Sequence, residues 1–178
     1  MTNVNRKRSA VAIVGSMNMD LAVTTNSLPS PGETVVGSSI VQSPGGKGAN
    51  QAVAASLLGA KVSLIAMTGD DNFGKVLVDS ALSAGVDVSL VHTDYRAKTG
   101  TAIITVDAEA ENTIVISPGA NEALMPSLVR ASLLKADDLA VVSACLEVPI
   151  ETVTEALRSG REFGATTVLN LSPFDRKS

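Results

Sequence analysis

Apolar residues along this chain fall into short continuous runs separated by stretches with helical spacing. The runs cover residues 10–14, 62–66 and 139–144, and each is typical of a buried strand. Residues 166–170, apolar in Val168 and Leu169, predict a further strand. Apolar residues recur at helical spacing over residues 46–58, 73–82 and 150–163. In the last of these helices we expect Ile150, Val153, Leu157 and Phe163 to face the core. Strands alternating with helices predict an α/β fold with a mainly parallel sheet.

Two stretches, residues 21–42 and 99–117, interrupt this alternation with strand-like sequence and no helix. Residues 100–106 and 112–116 flank a polar turn and predict a β-hairpin. Val35, Val36, Ile40 and Val41 predict a further strand. We expect a small sheet inserted into the domain as a lid or a dimerisation surface, and an antiparallel extension of the main sheet is the alternative. The expected domain spans residues 10–178, after a flexible tail at residues 1–9.

The composition supports this fold and excludes several classes of function. Hydrophobic residues make up 45% of the chain and aromatic residues 2%, so a core of small aliphatic side chains is expected. A formal net charge of −4 argues against a nucleic-acid partner. The basic segment at residues 5–8 precedes an apolar run too short for a signal peptide or membrane span, so we expect a cytoplasmic protein without a membrane partner.

Neither sulfur nor imidazole chemistry is indicated. The single cysteine, Cys145, lies in the apolar run of a predicted strand, and we expect it to be packed and inert. The single histidine, His92, lies in a polar stretch without a predicted partner, and we expect an ordinary loop residue.

The most distinctive motif is the Ser-Pro-Gly-Gly-Lys-Gly-Ala-Asn-Gln-Ala stretch at residues 43–52. Its glycines allow a tight turn close to a ligand, and the helix that follows presents free N–H groups. Lys47 and Asn50 are placed to add hydrogen bonds. Because Lys47 is followed by glycine, the motif is not a Walker loop. It predicts a binding loop, with a simple helix start as the alternative.

Polar residues also follow two predicted strands. Asn18 and Asp20 point to one side of an extended chain, where a carboxamide and a carboxylate can hold vicinal hydroxyl groups. They lie at the carboxyl end of a strand, where open α/β sheets bind ligands, although a solvated turn is the alternative. Glu147 follows the strand at residues 139–144 and is either a ligand group or the first acidic residue of a helix.

Residues 43–52, together with Gly59 and Gly69 at matching spacing, resemble the first signature of the ribokinase-like (PfkB) sugar-kinase family. The resemblance extends from residue 11 to about residue 173. It implies a three-layer α/β/α fold with a small β lid, and ATP-dependent phosphorylation of D-ribose at O5 to ribose 5-phosphate. Deoxyribose, fructose and adenosine kinases of the same family are the alternatives. ATP, Mg²⁺ and a monovalent cation such as K⁺ are the implied cofactors.

The resemblance also assigns roles to individual residues. It implies a sugar site formed by Asn18, Asp20, Gly45, Gly46, Lys47, Asn50 and Glu147. Thr101 and Ile103 correspond to the lid stretch that closes over the sugar. The same resemblance implies a homodimer formed through the lid strands, with Val35, Val36, Ile114 and Ile116 on the apolar surface.

The catalytic motif of this family, Gly-x-Gly-Asp, does not occur in the 178 residues. Asp70 and Asp71 follow Gly69 but lack the first glycine, so we expect a loop or helix-capping role for them. We therefore expect a truncated chain that carries the sugar-binding half, with no catalytic or metal-binding residue of its own. Such a chain is expected to be inactive alone, and a non-catalytic sugar-binding product is the alternative.

Overall fold

The computed structural model describes residues 9–173, which form nine strands and four α-helices. In chain order the elements are β1 (Ala10–Val14), β2 (Asn18–Thr24), β3 (Val41–Gly45), α1 (Lys47–Leu57), β4 (Lys61–Gly69), α2 (Asn72–Ser83), β5 (Val91–Asp94), β6 (Gly100–Val106), β7 (Asn112–Ser117), a 3-10 helix (Gly119–Ala123), α3 (Pro126–Leu133), β8 (Leu139–Cys145), α4 (Ile150–Glu162) and β9 (Thr166–Asn170). Residues 1–8 of the predicted tail lie outside the described part.

The main sheet has five strands in the order β5-β4-β1-β8-β9, and every pair in it is parallel. Successive residues of β1 point to opposite faces, so that Ile13 packs in one core and Val14 in the other. One core includes buried residues of α1 and α2, and the other includes residues of α3 and α4. The predicted three-layer α/β/α arrangement is therefore confirmed.

A second sheet of four strands has the order β3-β2-β6-β7. Strands β2 and β6 are parallel, whereas the other two pairs are antiparallel, and β6 and β7 form the predicted hairpin. None of these strands pairs with the main sheet in the described residues, so the alternative of an antiparallel extension is wrong.

The predicted strand around residues 35–41 is largely wrong. Strand β3 begins only at Val41 and continues through Pro44 to Gly45, because its register is set by pairing with β2, where Asn18 faces Gly45. Val36 and Ile40 lie outside the strand and are exposed.

Two further predictions need correction. Ile150 is 58% exposed because it is the first residue of α4, at the rim of the sheet, whereas Val153 one turn later is buried. His92 is not a loop residue, since it lies on the edge strand β5 and its Nε2 is 3.0 Å from the hydroxyl of Ser132 on α3. Burial, with a contribution from the charge of Lys135, lowers the pKa of His92.

Cys145 is a free, buried residue of β8, as predicted, and burial raises the pKa of its thiol. The sulfur is therefore held in its neutral form and is a poor nucleophile. No helix among residues 9–173 combines the length and the hydropathy that a membrane crossing requires.

Asp71 caps α2, which confirms the capping role predicted for this segment. Its carboxylate accepts a hydrogen bond from the Gly74 N–H at 2.9 Å. It also accepts hydrogen bonds from the backbone N–H and the hydroxyl of Thr99, at 2.9 and 2.7 Å. Burial opposes ionisation, but these hydrogen bonds outweigh it and lower the pKa of Asp71. The carboxylate thus ties the start of α2 to the chain that enters β6.

We expect Asp71→Ala to lower the free energy of unfolding by about 1–3 kcal/mol, because the helix cap and the two Thr99 hydrogen bonds are lost together. Asp70→Ala, a change at the exposed neighbouring residue, is the matched control and should alter stability little. Urea unfolding of the two variants measures the difference, and equal effects would contradict the role of Asp71.

The loss of unfolding free energy caused by Asp71→Ala should depend on pH. The pKa of Asp71 is lower in the folded than in the unfolded chain, so its contribution is fully present above the unfolded pKa and is lost as pH falls through the folded pKa. The stability gap between the unaltered chain and Asp71→Ala should therefore narrow in acid.

Candidate functional site

The largest cleft of the described residues, with a volume of about 570 Å³, opens at the carboxyl ends of β1 and β8. It is lined by Asn18, Ile116, Pro118, Asn121, Glu122, Leu146, Glu147, Val148, Pro149 and Pro173. Open parallel sheets bind ligands at this edge, where loops and helix amino termini converge. Of the residues predicted from sequence, Asn18 and Glu147 line the cleft directly.

Glu147 holds the start of α1 in place. Its Oε2 accepts a hydrogen bond from the Lys47 N–H at 2.9 Å and another from the hydroxyl of Ser16. Its Oε1 lies 3.8 Å from the Lys47 ammonium. A carboxylate at a helix amino terminus is stabilised by the free N–H groups and by the helix dipole. Glu147 is therefore a structural partner of α1 as well as a wall of the cleft.

Gly46, which precedes α1, has a φ of 91° that favours glycine. It cannot cap α1 with a side chain. A Cβ atom here would lie 2.8 Å from the backbone nitrogen of Asn18 and 2.8 Å from the backbone carbonyl oxygen of Ser16. The turn thus brings the start of α1 close to the backbone between β1 and β2. This placement agrees with the close approach that the glycine-rich motif predicts.

Asp20 lies on β2 beside Gly45. A Cβ atom on Gly45 would be 2.2 Å from Asp20 Oδ2, so only glycine leaves room for the carboxylate in this position. Burial is the main cause that raises the pKa of Asp20, and the charge of Glu147 raises it further, while the Lys47 ammonium lowers it. Asp20, Lys47 and Glu147 therefore form one electrostatic group.

Asn18 is 3% exposed and is held by Asn121, a residue that the sequence motifs did not identify. The Asn121 Nδ2 donates to Asn18 Oδ1 at 2.8 Å, and Asn121 Oδ1 accepts from the Met17 N–H at 3.0 Å. Asn121 lies on the 3-10 helix after β7, far from Asn18 in sequence. No local signal in the sequence marks Asn121, because Met17 and Asn18 are 104 and 103 positions away from it.

Cross-strand partners share a face of the small sheet, which separates the lid residues into two groups. Asp20 pairs with Ala102, and Ala102 pairs with Ile116, so these residues share one face. Thr101 and Ile103 lie on the opposite face, where Ile103 pairs with Leu21 and is 52% exposed. A role for Ile103 over the sugar stays a prediction, and the register favours Ala102 and Ile116 for apolar cover.

Asn50 is exposed and lines a separate cleft of about 440 Å³, together with Gly45 and apolar residues of α1 and α2. The structure therefore does not bring Asn50 to the wall of the largest cleft.

The described part of the chain contains no cluster of metal-ligating side chains. Among residues 9–173, no three His, Cys, Asp or Glu side chains are grouped so that they could hold a metal ion. The described residues therefore provide no carboxylate cluster that would hold a metal ion by itself, whereas the polar groups of the site can hold and orient a polyhydroxyl ligand.

Comparison with known proteins agrees with this geometry. The chain is 37% identical over 163 residues to a ribokinase of Bacillus subtilis, with 92% of this chain and 55% of the relative covered. It is 38% identical over 165 residues to a deoxyribokinase of Salmonella typhi, with 92% of this chain and 53% of the relative covered. The chain thus spans about half the length of these curated relatives.

A solved structure, Arabidopsis thaliana ribokinase complexed with ribose and ATP, superposes with a TM-score of 0.79 and 25% identity. The superposition covers 92% of this chain and 54% of that structure. The family model for pfkB family carbohydrate kinases matches residues 8–177. Because this match covers nearly the whole chain, the chain belongs to the pfkB family of carbohydrate kinases.

Proposed function

We propose that this chain is the sugar-binding half of a ribokinase-type enzyme whose substrate is D-ribose. The observation that carries the proposal is the group formed by Asn18, Asp20, Lys47 and Glu147 at the carboxyl edge of the parallel sheet. A ribokinase relative and a ribokinase structure with ribose support the choice of sugar.

The contribution of these residues is binding and orientation. The Asp20 carboxylate accepts hydrogen bonds from sugar hydroxyl groups, and the ammonium of Lys47 donates a hydrogen bond to a hydroxyl oxygen. Glu147 keeps Lys47 and the α1 N–H groups in position. Holding the sugar in one orientation contributes to the rate by removing the entropy cost of finding it.

ATP is the proposed phosphoryl donor, with Mg²⁺ and a monovalent cation such as K⁺ as the proposed ions. Of the solved ribokinase structures that resemble this chain, one is complexed with ribose and ATP and another with ADP. Because residues 9–173 contain no cluster of three His, Cys, Asp or Glu side chains, we assign none of them to the ions.

Deoxyribose is the second candidate sugar. The Salmonella typhi deoxyribokinase is as similar to this chain as the ribokinases are. Calorimetry with D-ribose and 2-deoxy-D-ribose on the same sample distinguishes the two sugars, and a tighter complex with deoxyribose would favour this second candidate.

We expect Asp20→Ala to lower the affinity for D-ribose by about 10- to 150-fold, since a hydrogen bond to a charged group contributes about 1.5–3 kcal/mol. Asp79→Ala, at an exposed residue of α2, is the matched control. Calorimetric titration measures both, and an unchanged affinity of Asp20→Ala would remove Asp20 from the site.

Ribose affinity should also fall in acid through protonation of Asp20. Its pKa is raised, so the carboxylate loses its charge at a higher pH than an ordinary aspartate. The affinity should therefore be full above this pKa and decline as pH falls through it, and Asp20→Ala should show a flatter profile.

We expect the 178-residue chain to bind D-ribose but not to phosphorylate it with ATP and Mg²⁺. The reason is that no Gly-x-Gly-Asp motif occurs in it to supply the base and the N–H anion hole. A coupled assay for ADP release tests this, and turnover by the purified chain that Asp20→Ala abolishes would contradict it.

The small sheet is the proposed surface for a homodimer. Its described strands expose Ile103 and Val115 on one face and Ile114 and Ile116 on the other, which is the face of Asp20. A second copy of the sheet would cover the face of Ile103 and Val115. Sedimentation should show a dimer that Val115→Lys converts to a monomer. Leu58→Lys, a change at an exposed leucine beyond α1, is the control and should leave the dimer intact. A monomer at all concentrations would contradict the proposal.

A further inference from the structure

Asn121 is a buried amide whose polar atoms are all engaged. It is 1% exposed, and its Oδ1 accepts a hydrogen bond from the Met17 N–H at 3.0 Å. Its Nδ2 donates to the carbonyl oxygens of Pro118 and Met17, at 2.9 and 3.2 Å, and to the Oδ1 of Asn18 at 2.8 Å. A buried amide with this many backbone partners has a fixed position.

The backbone also fixes the direction in which the Asn121 amide points. The Met17 N–H can only donate, so the atom that faces it must be the amide oxygen of Asn121. The Pro118 carbonyl can only accept, so the atom that faces it must be the amide nitrogen. The remaining partner of that nitrogen, on Asn18, must therefore be an acceptor, which is the Asn18 oxygen and not its NH₂ group.

This arrangement leaves the Asn18 NH₂ group as a donor. Asn18 lines the largest cleft, and within residues 9–173 no partner is found for its Nδ2. We propose that Asn121 is a positioning residue that fixes the Asn18 amide with its NH₂ group toward the bound sugar. Asn18 then donates a hydrogen bond to a sugar hydroxyl oxygen, while Asp20, two residues along the same strand, accepts a hydrogen bond from a sugar hydroxyl group. This inference rests on the proposed function.

Gly100 supports the inference independently. A Cβ atom on Gly100 would lie 2.2 Å from Asn121 Nδ2 and 2.3 Å from Asn18 Oδ1. The backbone at the start of β6 therefore closes directly over the hydrogen bond between the two amides, and a residue larger than glycine would push them apart. Because the backbone at Gly100 encloses this pair of amides, the Asn18 amide cannot flip to exchange its oxygen and nitrogen.

A double-mutant cycle on the chain tests the proposal with D-ribose as the probe. We expect Asn121→Ala and Asn18→Ala each to weaken ribose binding about five- to tenfold, since each loses one hydrogen bond to the sugar. In the Asn18→Ala background, Asn121→Ala should weaken binding less than twofold further, because Asn121 acts through Asn18. Asn112→Ala, at an exposed residue of β7, is the control that leaves affinity unchanged. A similar loss from Asn121→Ala in both backgrounds would show a merely structural role and overturn the proposal.

Because Asn121→Ala also removes partners from the Met17 and Pro118 backbone, a second measurement uses the unaltered chain. Side-chain amide NMR should show slow hydrogen exchange for the Asn121 NH₂ group and fast exchange for that of Asn18. Added D-ribose should then slow the exchange of the Asn18 NH₂ group alone.

The outcomes separate the two proposals. Ribose that binds without any change at an already protected Asn18 NH₂ group would overturn the role of Asn121 and leave the ribose function standing. A protected Asn121 NH₂ group in a chain that does not bind ribose would overturn the proposed function, although the amide arrangement itself would stand.

Discussion

The carboxylate of Glu147 connects three segments that lie far apart in sequence. It accepts a hydrogen bond from the hydroxyl of Ser16, which follows β1, and another from the N–H of Lys47, at the start of α1. Glu147 itself follows β8. Gly46 cannot cap α1, because the turn there excludes a side chain. The acid that α1 needs at its amino terminus is therefore supplied by a neighbouring strand. The same negative charge contributes to the raised pKa of Asp20, so helix position and site charge depend on one group.

The parts of the fold that sequence predicted are those with strong periodicity. Strands β1 and β8 are covered on both faces, so their sequences are continuous apolar runs. Helix α2 has an apolar stripe along one face, and Gly85 follows its end. Strand β5 was missed because it is a short edge strand that pairs with β4 alone in the main sheet, and its residues include the polar His92 and Asp94. The eight-residue helix α3 was missed because it has room for only two turns of an apolar pattern. Short elements such as these are determined by tertiary contacts.

The site was predictable where local rules apply. Alternation along a strand placed Asn18 and Asp20 together, and the glycine-rich motif placed Gly46 and Lys47 at a helix start. The face of the small sheet on which Ile103 lies was not predictable, since it depends on the register between β2 and β6, and a shift of one residue exchanges the faces. Asn121 could not be found either, because its function as a partner of Met17 depends on a contact between residues that are 104 positions apart.

The residues proposed to bind the sugar are held in place by two different sheets. Asn18 and Asp20 are on β2 of the small sheet, whereas Lys47 begins a helix packed on the main sheet and Glu147 follows β8. A site shared in this way keeps its geometry only if the two sheets stay in a fixed relation. The hydrogen bond from Met17 to Asn121 acts at that junction and is buried. The hydrogen bond from Lys47 to Glu147 is partly buried and holds the start of α1, which directly follows β3 of the small sheet. Burial strengthens such bonds and makes their loss costly, so the junction that positions the ligand groups also resists separation of the sheets.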